Sequence, residues 1–209
     1  AARYFYHQLM SENGKRGYLY LRGRGLSDET LKNFGLGYAN QYPDDLYRFL
    51  RQKGFSDAQL KDSGLVKIDE RGCYDKFWNR VMFPIMDINN KVIGFGGRVM
   101  GEGEPKYLNS PETPIFEKNR NLYGMHVTKR NRKPYFLICE GYMDVISLHQ
   151  AGCTNAVASL GTAFTVQHGL LLKRYTKEVV LTFDSDGAGI KAALRAIPIL
   201  KEAGLSARV

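Results

Sequence analysis

The sequence predicts an α/β protein in two parts, a mixed α+β region over residues 1–133 and a small parallel sheet flanked by helices over residues 134–209. The hydrophobic periodicity changes near residue 134, where short apolar runs begin to alternate with helical patterns. Three strand-to-helix units in succession are typical of a parallel sheet covered by helices. No apolar run approaches the roughly 20 residues that a membrane span needs, so no membrane partner is expected.

The first region begins with helical patterns that continue to about residue 63. Ser27 precedes two acids and is placed as the N-cap of one helix, and residues 44–55 carry apolar side chains at helical spacing up to Gly54.

Strands are predicted from residue 65 to residue 99 of the first region. Two β-rich runs surround a turn at Asn89–Asn90, and a shorter hairpin is expected at residues 70–72. Residues 104–124 contain several Pro, Asn and Ser residues, so they predict a long ordered loop or a set of turns.

The second region alternates predicted strands and helices in a regular order. Its expected elements are strands at residues 135–139, 156–161 and 178–183, and helices at about residues 142–150, 166–175 and 188–203. Pro198 lies inside the last helix and predicts a kink or an early end there, because proline lacks the backbone N–H that a helix interior uses.

The composition favours a polyanionic partner inside the cell. Thirty Lys and Arg against twenty-one Asp and Glu give a net charge of +9, with the excess mainly in the first 135 residues. The start lacks the apolar stretch of a signal peptide, which predicts a cytoplasmic protein. Cys73, Cys139 and Cys153 are odd in number and form no CxxC pair, so neither a disulfide framework nor a zinc site is expected in this chain.

Acidic residues follow two of the predicted strands. Glu140 comes after the strand at 135–139, while Asp184 and Asp186 come after the strand at 178–183. Ligands of parallel sheets bind at the carboxyl ends of the strands. Because neighbouring carboxylates repel each other unless a cation offsets their charge, this pattern predicts a metal or catalytic site. Asp144 is either a fourth acid of that site or an acid that stabilises its helix N-terminus.

Of two other interpretations of the Asp184-Ser185-Asp186-Gly187 stretch, the first fails and the second is weak. A calcium EF-hand loop needs a ligand at its fifth position and Glu at its twelfth, which are Ala188 and Arg195 here. A phosphatase nucleophile motif of the haloacid-dehalogenase type needs a lysine and further acids well downstream, and only 23 residues follow Asp186.

The second region resembles the TOPRIM domain of bacterial primases, topoisomerases and some nucleases. The resemblance lies in Glu140-Gly141 after one strand and Asp184-x-Asp186-Gly187 after another. From about Leu21 onward the chain resembles, more narrowly, the RNA-polymerase core of the bacterial DnaG-type primase. The resemblance rests on the ordered motifs RVMFPI, VIGFGGRV, PKYLNSPET, LYG, EGYMDV, AVASLGTA and FDSDGAG.

The resemblance implies a nucleotidyltransferase that synthesises RNA primers from ribonucleoside triphosphates on single-stranded DNA at the bacterial replication fork. It also implies contact with the replicative helicase of the primosome, through a region that we expect to lie outside this chain. Residues 1–133 would then be the basic N-terminal subdomain of the core, and residues 134–209 a TOPRIM domain that is incomplete at its C-terminal end. The zinc-ribbon cysteines of such primases are not recognisable in this sequence.

The candidate site residues fall into two groups. Glu140, Asp184 and Asp186 are expected to be catalytic and to bind Mg²⁺ or Mn²⁺ in a two-metal arrangement, because hard cations prefer oxygen ligands. Glu140 would be a shared ligand or the general base toward the attacking hydroxyl. The expected nucleotide- or template-binding residues are Arg24, Arg80, Arg98, Lys106, Asn109 and Lys118.

Two alternatives remain open at the level of sequence. The chain could belong to another TOPRIM enzyme, such as a nuclease or topoisomerase fragment, or it could be a non-catalytic module that binds single-stranded nucleic acid. Trp78, the only tryptophan, is predicted to pack between the hairpin region and neighbouring helices, with base stacking as the less favoured alternative. Gly141 and Gly187 are expected to allow tight strand-to-helix turns.

Overall fold

Helices dominate the first 63 residues of the computed structural model, which describes residues 1–209. They are α1 (Ala2–Leu9), α2 (Lys15–Gly23), α3 (Asp28–Asn33), α4 (Asp45–Gln52) and α5 (Asp57–Asp62). The predicted helical pattern is confirmed, apart from the short strand β1 (Gly37–Ala39) that interrupts it.

Side-chain caps fix where several of these helices begin. Ser27 Oγ accepts a hydrogen bond from Thr30 N at 3.1 Å, which confirms the predicted N-cap of α3. The cap of α4 comes from a distant residue, because the Asp75 carboxylate accepts hydrogen bonds from Leu46 N at 2.8 Å and Tyr47 N at 2.9 Å. A carboxylate from the end of a hairpin therefore satisfies the first amides of this helix.

An antiparallel sheet of order β1-β4-β5-β6 lies in this part of the chain. Its further strands are β4 (Arg80–Met86), β5 (Val92–Val99) and β6 (Tyr107–Asn109), and a separate hairpin pairs β2 (Val66–Asp69) with β3 (Gly72–Asp75). The predicted turn at Asn89–Asn90 is confirmed, with Asn90 at a φ of 64°. Strand β6 lies in the segment that the sequence predicts as loop, so that prediction is wrong at residues 107–109.

The chain divides into two compact units, neither of which is one continuous segment. The first comprises Ala1–Ile85 and Val92–Phe116, and the second comprises Met86–Lys91 and Glu117–Val209. Lys129 Nζ donates a hydrogen bond to the carbonyl of Ile88 within the second unit. The domain boundary at residues 133/134 stays a prediction. No helix in the structure has the length and apolar character required to cross a bilayer.

The second unit contains the predicted parallel sheet, with strand order β10-β9-β7-β8. The strands are β7 (Tyr135–Cys139), β8 (Ala156–Ala158), β9 (Glu178–Leu181) and β10 (Ser206–Arg208), and the helices are α6 (Met125–Thr128), α7 (Tyr142–Gln150), α8 (Val166–Lys173) and α9 (Gly187–Glu202). The α/β class is confirmed. Strand β10, which pairs in parallel with β9, is not predicted from the sequence.

Helix α9 continues through Pro198 to Glu202, so the early end predicted as one of two outcomes is wrong, and the kink stays a prediction. Proline leaves the carbonyl of Leu194 without its helical N–H partner. Both residues are exposed, which lets water take the place of that partner. Ala193, Ala196 and Leu200 are buried in the core, and their packing holds the helix together past the proline.

Buried histidines make the second unit sensitive to acid. Burial, followed by the nearby charges of His149, Lys129 and Arg130, lowers the pKa of His126 to about 4, against an opposing effect of Asp87. His126 Nδ1 is buried without a hydrogen-bond partner. The pKa of His126 is thus lower in the folded chain than the value of about 6.5 in the unfolded chain. Such a group leaves the folded state at full stability above about pH 6.5 and destabilises it as the pH falls toward 4, because the unfolded state then binds the proton more tightly.

We therefore expect the chain to lose about 2 kcal/mol of unfolding free energy through His126 between pH 7.5 and pH 5.0. Urea unfolding of the wild type and of His126→Asn at both pH values measures this contribution as the difference between their pH-dependent losses. His7→Asn is the control, because His7 is exposed. Equal losses for the wild type and His126→Asn would contradict the assignment.

Candidate active site

The two acidic motifs meet at the carboxyl edge of the parallel sheet. Strands β7 and β9 are neighbours in parallel register, with Ile138 opposite Leu181. The residues that follow them are therefore brought together although they are 44 positions apart in sequence. Glu140 Oε1 accepts a hydrogen bond from the backbone N–H of Asp184 at 2.8 Å, so one carboxylate fixes the backbone that carries the next.

The three acids differ in how much of their carboxylate the protein already uses. Asp184 is exposed, and its carboxylate makes no hydrogen bond or ion pair with protein. Asp186 is the N-cap of α9, because its Oδ1 accepts hydrogen bonds from Ala188 N at 3.0 Å and Gly189 N at 2.8 Å. Its Oδ2 and Glu140 Oε2 have no protein partner. At least one oxygen of each acid is thus available to a ligand.

Gly189 ends the FDSDGAG motif, although the sequence alone gives it no role in the site. A Cβ at this position would lie 2.1 Å from the carbonyl oxygen of Asp184 and 2.7 Å from Glu140 Oε1, so only glycine fits without a shift of the backbone. At Gly187, which the sequence does single out, a Cβ would meet no atom within 4 Å. The close approach of α9 to the acids therefore depends on position 189.

Asp144 has a structural partner close to this edge. Its Oδ2 accepts a hydrogen bond from Gly141 N at 3.0 Å, which satisfies an amide just before the first turn of α7. This contact supports the interpretation of Asp144 as an acid that stabilises a helix N-terminus.

A cavity of about 670 Å³ opens beside Glu140. Its walls include the aromatic rings of Phe164 and Phe183, the N-terminal half of α9, and Arg195. The cavity gives this edge of the sheet an apolar surface next to Glu140, with Arg195 as the one cation in its lining.

The predicted basic residues of the first unit include three with exposed or half-exposed cations. Arg24 directly follows α2, Lys106 directly precedes β6, and neither cation has a protein partner. Arg98 on β5 pairs with Tyr107 on β6, and Val99 N donates to Lys106 O at 3.0 Å, so these two predicted residues lie on adjoining segments. Asn109 pairs with Gly96 in the same sheet.

Arg80 and Lys118 differ from these three residues, Arg80 by its burial and Lys118 by its place in the second unit. Arg80 is buried, and its Nη1 donates to the carbonyls of Gly97 at 3.2 Å and Pro105 at 2.9 Å, which gives it a structural role. Burial lowers the pKa of its guanidinium. Lys118 belongs to the second unit, where its carbonyl contacts His168 Nε2 at 2.8 Å. Binding of nucleotide or template by either residue stays a prediction.

The chemistry of the acidic edge fits a hard divalent cation, although the acids do not form a closed cage. No group of three His, Cys, Asp or Glu side chains is arranged to hold a metal ion. The oxygens without protein partners are carboxylate oxygens, which Mg²⁺ and Mn²⁺ prefer. Magnesium is often held by only one or two carboxylates together with water and substrate phosphates, so an incomplete protein shell is compatible with such an ion.

Comparisons with known proteins define first a class and then a family. The parallel sheet with acids at its carboxyl edge is that of a TOPRIM-type domain, and a family model described as Toprim-like matches residues 137–209. A second family model, described as the N-terminal domain of the DNA primase catalytic core, matches residues 4–129. The chain belongs to the family of DNA primase catalytic cores, which assigns it to the primases among the TOPRIM enzymes.

Relatives in several bacteria support this assignment. The chain is 47% identical to a DNA primase of Clostridium acetobutylicum over its whole length and 46% identical to one of Legionella pneumophila over 92% of its length. It spans 35% and 34% of these two relatives, about a third of each. Primases are DNA-directed RNA polymerases, and TOPRIM primases generally use a divalent metal ion.

Solved structures give the same result for the fold. A structure of the DnaG primase catalytic domain bound to ssDNA shares 41% identity and a TM-score of 0.86, covering 94% of this chain and 62% of its own. The zinc-binding and RNA-polymerase domains of the Aquifex aeolicus primase share 34% identity and a TM-score of 0.89, covering 99% of this chain and 51% of that one.

Proposed function

We propose that this chain supplies the template-binding surface and the catalytic carboxylates of a primase that synthesises RNA primers on single-stranded DNA. The observation that carries the proposal is the contact between Glu140 and the backbone of Asp184, which joins two distant acidic motifs at one edge of the sheet. Family membership and the carboxylate oxygens without protein partners support it.

In this proposal Asp184 and the Oδ2 of Asp186 bind Mg²⁺ or Mn²⁺, with two ions as the arrangement that the resemblance implies. The bound ions would neutralise charge around the reacting phosphate. Glu140 holds Asp184 in place through Oε1 and keeps Oε2 for the reaction. That oxygen either shares a cation or accepts the proton of the attacking 3′-hydroxyl, and the pH dependence of the rate separates these two roles.

The exposed and half-exposed cations of the first unit bind phosphate in this proposal. Lys106, Arg98 and Arg24 contact the template or the incoming ribonucleoside triphosphate, because Arg and Lys are the usual phosphate ligands in nucleic-acid sites. The RNA primer is the product that shares this surface. In the whole protein, which acts in the cytoplasm, the replicative helicase is a further partner through a region outside this chain.

Primer synthesis by the whole primase tests the proposal. The enzyme is supplied with ribonucleoside triphosphates, a single-stranded DNA template and Mg²⁺, and the labelled products are separated by size. Short RNA that requires the template supports the proposal. Cleavage or relaxation of DNA without RNA synthesis would favour a nuclease or topoisomerase, and binding without any reaction would favour a non-catalytic module.

Lys106→Ala should weaken binding of the chain to single-stranded DNA several-fold and leave the melting temperature unchanged, since Lys106 has no protein partner. Loss of one phosphate contact should also reduce the slope of log affinity against log salt by about 0.7. Fluorescence anisotropy of a labelled oligonucleotide at several salt concentrations measures both effects. Lys61→Ala, at an exposed position of α5, is the matched control, and an unchanged slope for Lys106→Ala would count against this contact.

A further inference from the structure

Trp78 is exposed on the connection between β3 and β4, with 51% of its surface accessible to solvent. The prediction that it packs between the hairpin and neighbouring helices is therefore wrong. Leaving half of the largest apolar side chain in water forgoes hydrophobic stabilisation. Its ring has a free surface that a planar partner can cover.

The backbone next to Trp78 is held rigidly. Asn79 has a φ of 50°, a left-handed conformation that is uncommon for a residue with a side chain. Four hydrogen bonds fix it: Asn79 N donates to Asn40 O at 2.6 Å, Asn79 Nδ2 to Met100 O at 2.9 Å, Met100 N to Asn79 O at 2.9 Å, and Tyr38 Oη to Asn79 Oδ1 at 3.2 Å. The attachment point of the exposed ring is thus ordered before any ligand binds.

Arg16 of the first unit lies close to this network, and Arg98 precedes Met100 by two residues. A Cβ at Gly101 would lie 2.9 Å from Arg16 Nη2. Gly101 directly follows Met100, which is hydrogen-bonded to Asn79. The exposed Arg16 has no hydrogen bond or ion pair with protein. Tyr20 lies one helical turn further along α2. The Arg98 guanidinium stacks over its ring, with the guanidinium carbon 4.4 Å from the ring centroid.

Arg16 and Arg98 belong to the same unit as Trp78, and arginine is a usual ligand of phosphate groups. Sites for single-stranded nucleic acids combine aromatic rings with cations, because bases stack on the rings while the cations hold the phosphates. Glu102 and Glu104 follow Gly101 on the exposed loop and limit the basic surface on that side.

We propose that Trp78 stacks on a base of the single-stranded DNA template, with Arg16 and Arg98 contacting the phosphates beside it. The identity of the ligand in this inference rests on the proposed function. The inference adds a residue that contacts a base of that ligand. Stacking on a flat ring tolerates any base, so Trp78 would hold the template without selecting its sequence.

Because the chain has one tryptophan, its emission reports on this position alone. We expect titration with an oligothymidine to quench the emission in a saturable way. A strand of the same length made of abasic sugar-phosphate units should bind through charge alone and leave the emission nearly unchanged. Both strands carry a dye, so that anisotropy measures binding independently of the tryptophan.

Trp78→Ala should weaken binding of the oligothymidine about tenfold and binding of the abasic strand less than twofold. Trp78→Phe keeps a smaller ring and should lie between Trp78→Ala and the wild type. Phe55→Ala, which removes another exposed ring of the first unit, should have no effect. Circular dichroism checks that each variant is folded, and exposure of the replaced rings makes folding defects unexpected.

The outcomes separate this inference from the proposed function. Oligothymidine binding without quenching, together with unchanged affinity of Trp78→Ala, would overturn stacking and leave template binding intact. If the wild type binds neither strand at low salt, both the stacking role and the template-binding part of the proposed function are wrong. Equal loss of affinity for both strands in Trp78→Ala would also overturn stacking, because a base contact cannot affect an abasic strand.

Discussion

Glu140→Gln and Asp184→Asn should each lower primer synthesis by the whole primase at least about a hundredfold, equivalent to about 2.7 kcal/mol of transition-state stabilisation. Each substitution removes a negative charge and keeps the shape of the side chain. Glutamine at position 140 can still accept the hydrogen bond from Asp184 N through its amide oxygen. The expected loss therefore reports on charge at the reacting phosphate.

The measurement is the rate of primer formation under saturating nucleotide, with melting temperature as the check on folding. Glu202→Gln is the matched control, because it removes one exposed carboxylate at the far end of α9. Near-normal primer synthesis by Glu140→Gln or Asp184→Asn would remove the corresponding residue from the chemistry.

Gly189→Ala should lower primer synthesis at least about tenfold and destabilise the chain by about 1–3 kcal/mol, as overpacking in a tight site generally does. The added methyl would meet the carbonyl of Asp184 at 2.1 Å and Glu140 Oε1 at 2.7 Å, so the first turn of α9 must move away. Alanine is the better helix former by about 1 kcal/mol, and the clash outweighs that gain.

Amide hydrogen exchange distinguishes displacement of Asp184 and Glu140 from general destabilisation of the chain. The hydrogen bond from Asp184 N to Glu140 should open in Gly189→Ala, so this amide should exchange faster, while amides of β7 are affected less. Gly187→Ala is the control, because a Cβ there meets nothing within 4 Å. Should Gly189→Ala retain normal activity and a protected Asp184 amide, position 189 has no part in setting the site.

Regular, long elements could be predicted from the sequence, because several side chains repeat the same signal. Helix α7 occupies Tyr142–Gln150 as expected, and each predicted strand of the parallel sheet is present. Strands β6 and β10 contain three residues each, as β8 does, but they lack the continuous apolar run that makes the buried β8 recognisable. Tertiary packing likewise overrides the proline signal in α9.

The site was predictable as a set of residue types and less so as a set of contacts. Glu140 and Asp184 can be predicted because each follows a strand of the parallel sheet. The carboxyl ends of neighbouring parallel strands lie at the same edge of a sheet, where ligands bind. The cap made by Asp186, the need for glycine at position 189 and the burial of Arg80 all depend on distances of a few ångströms between elements. The sequence does not predict the exposure of Trp78, because tryptophan side chains are on average highly buried.

The tip of the β4–β5 hairpin has a consequence for how genes encoding such cores can recombine. Residues Met86–Lys91 belong to the second unit, while the strands on either side of them belong mainly to the first. A single crossover between genes at residue 116 would exchange the C-terminal segment and leave the parental tip behind, with Ile88 facing a foreign residue in place of Lys129. The hydrogen bond to the carbonyl of Ile88 would survive such an exchange only where the incoming segment also has a lysine at position 129.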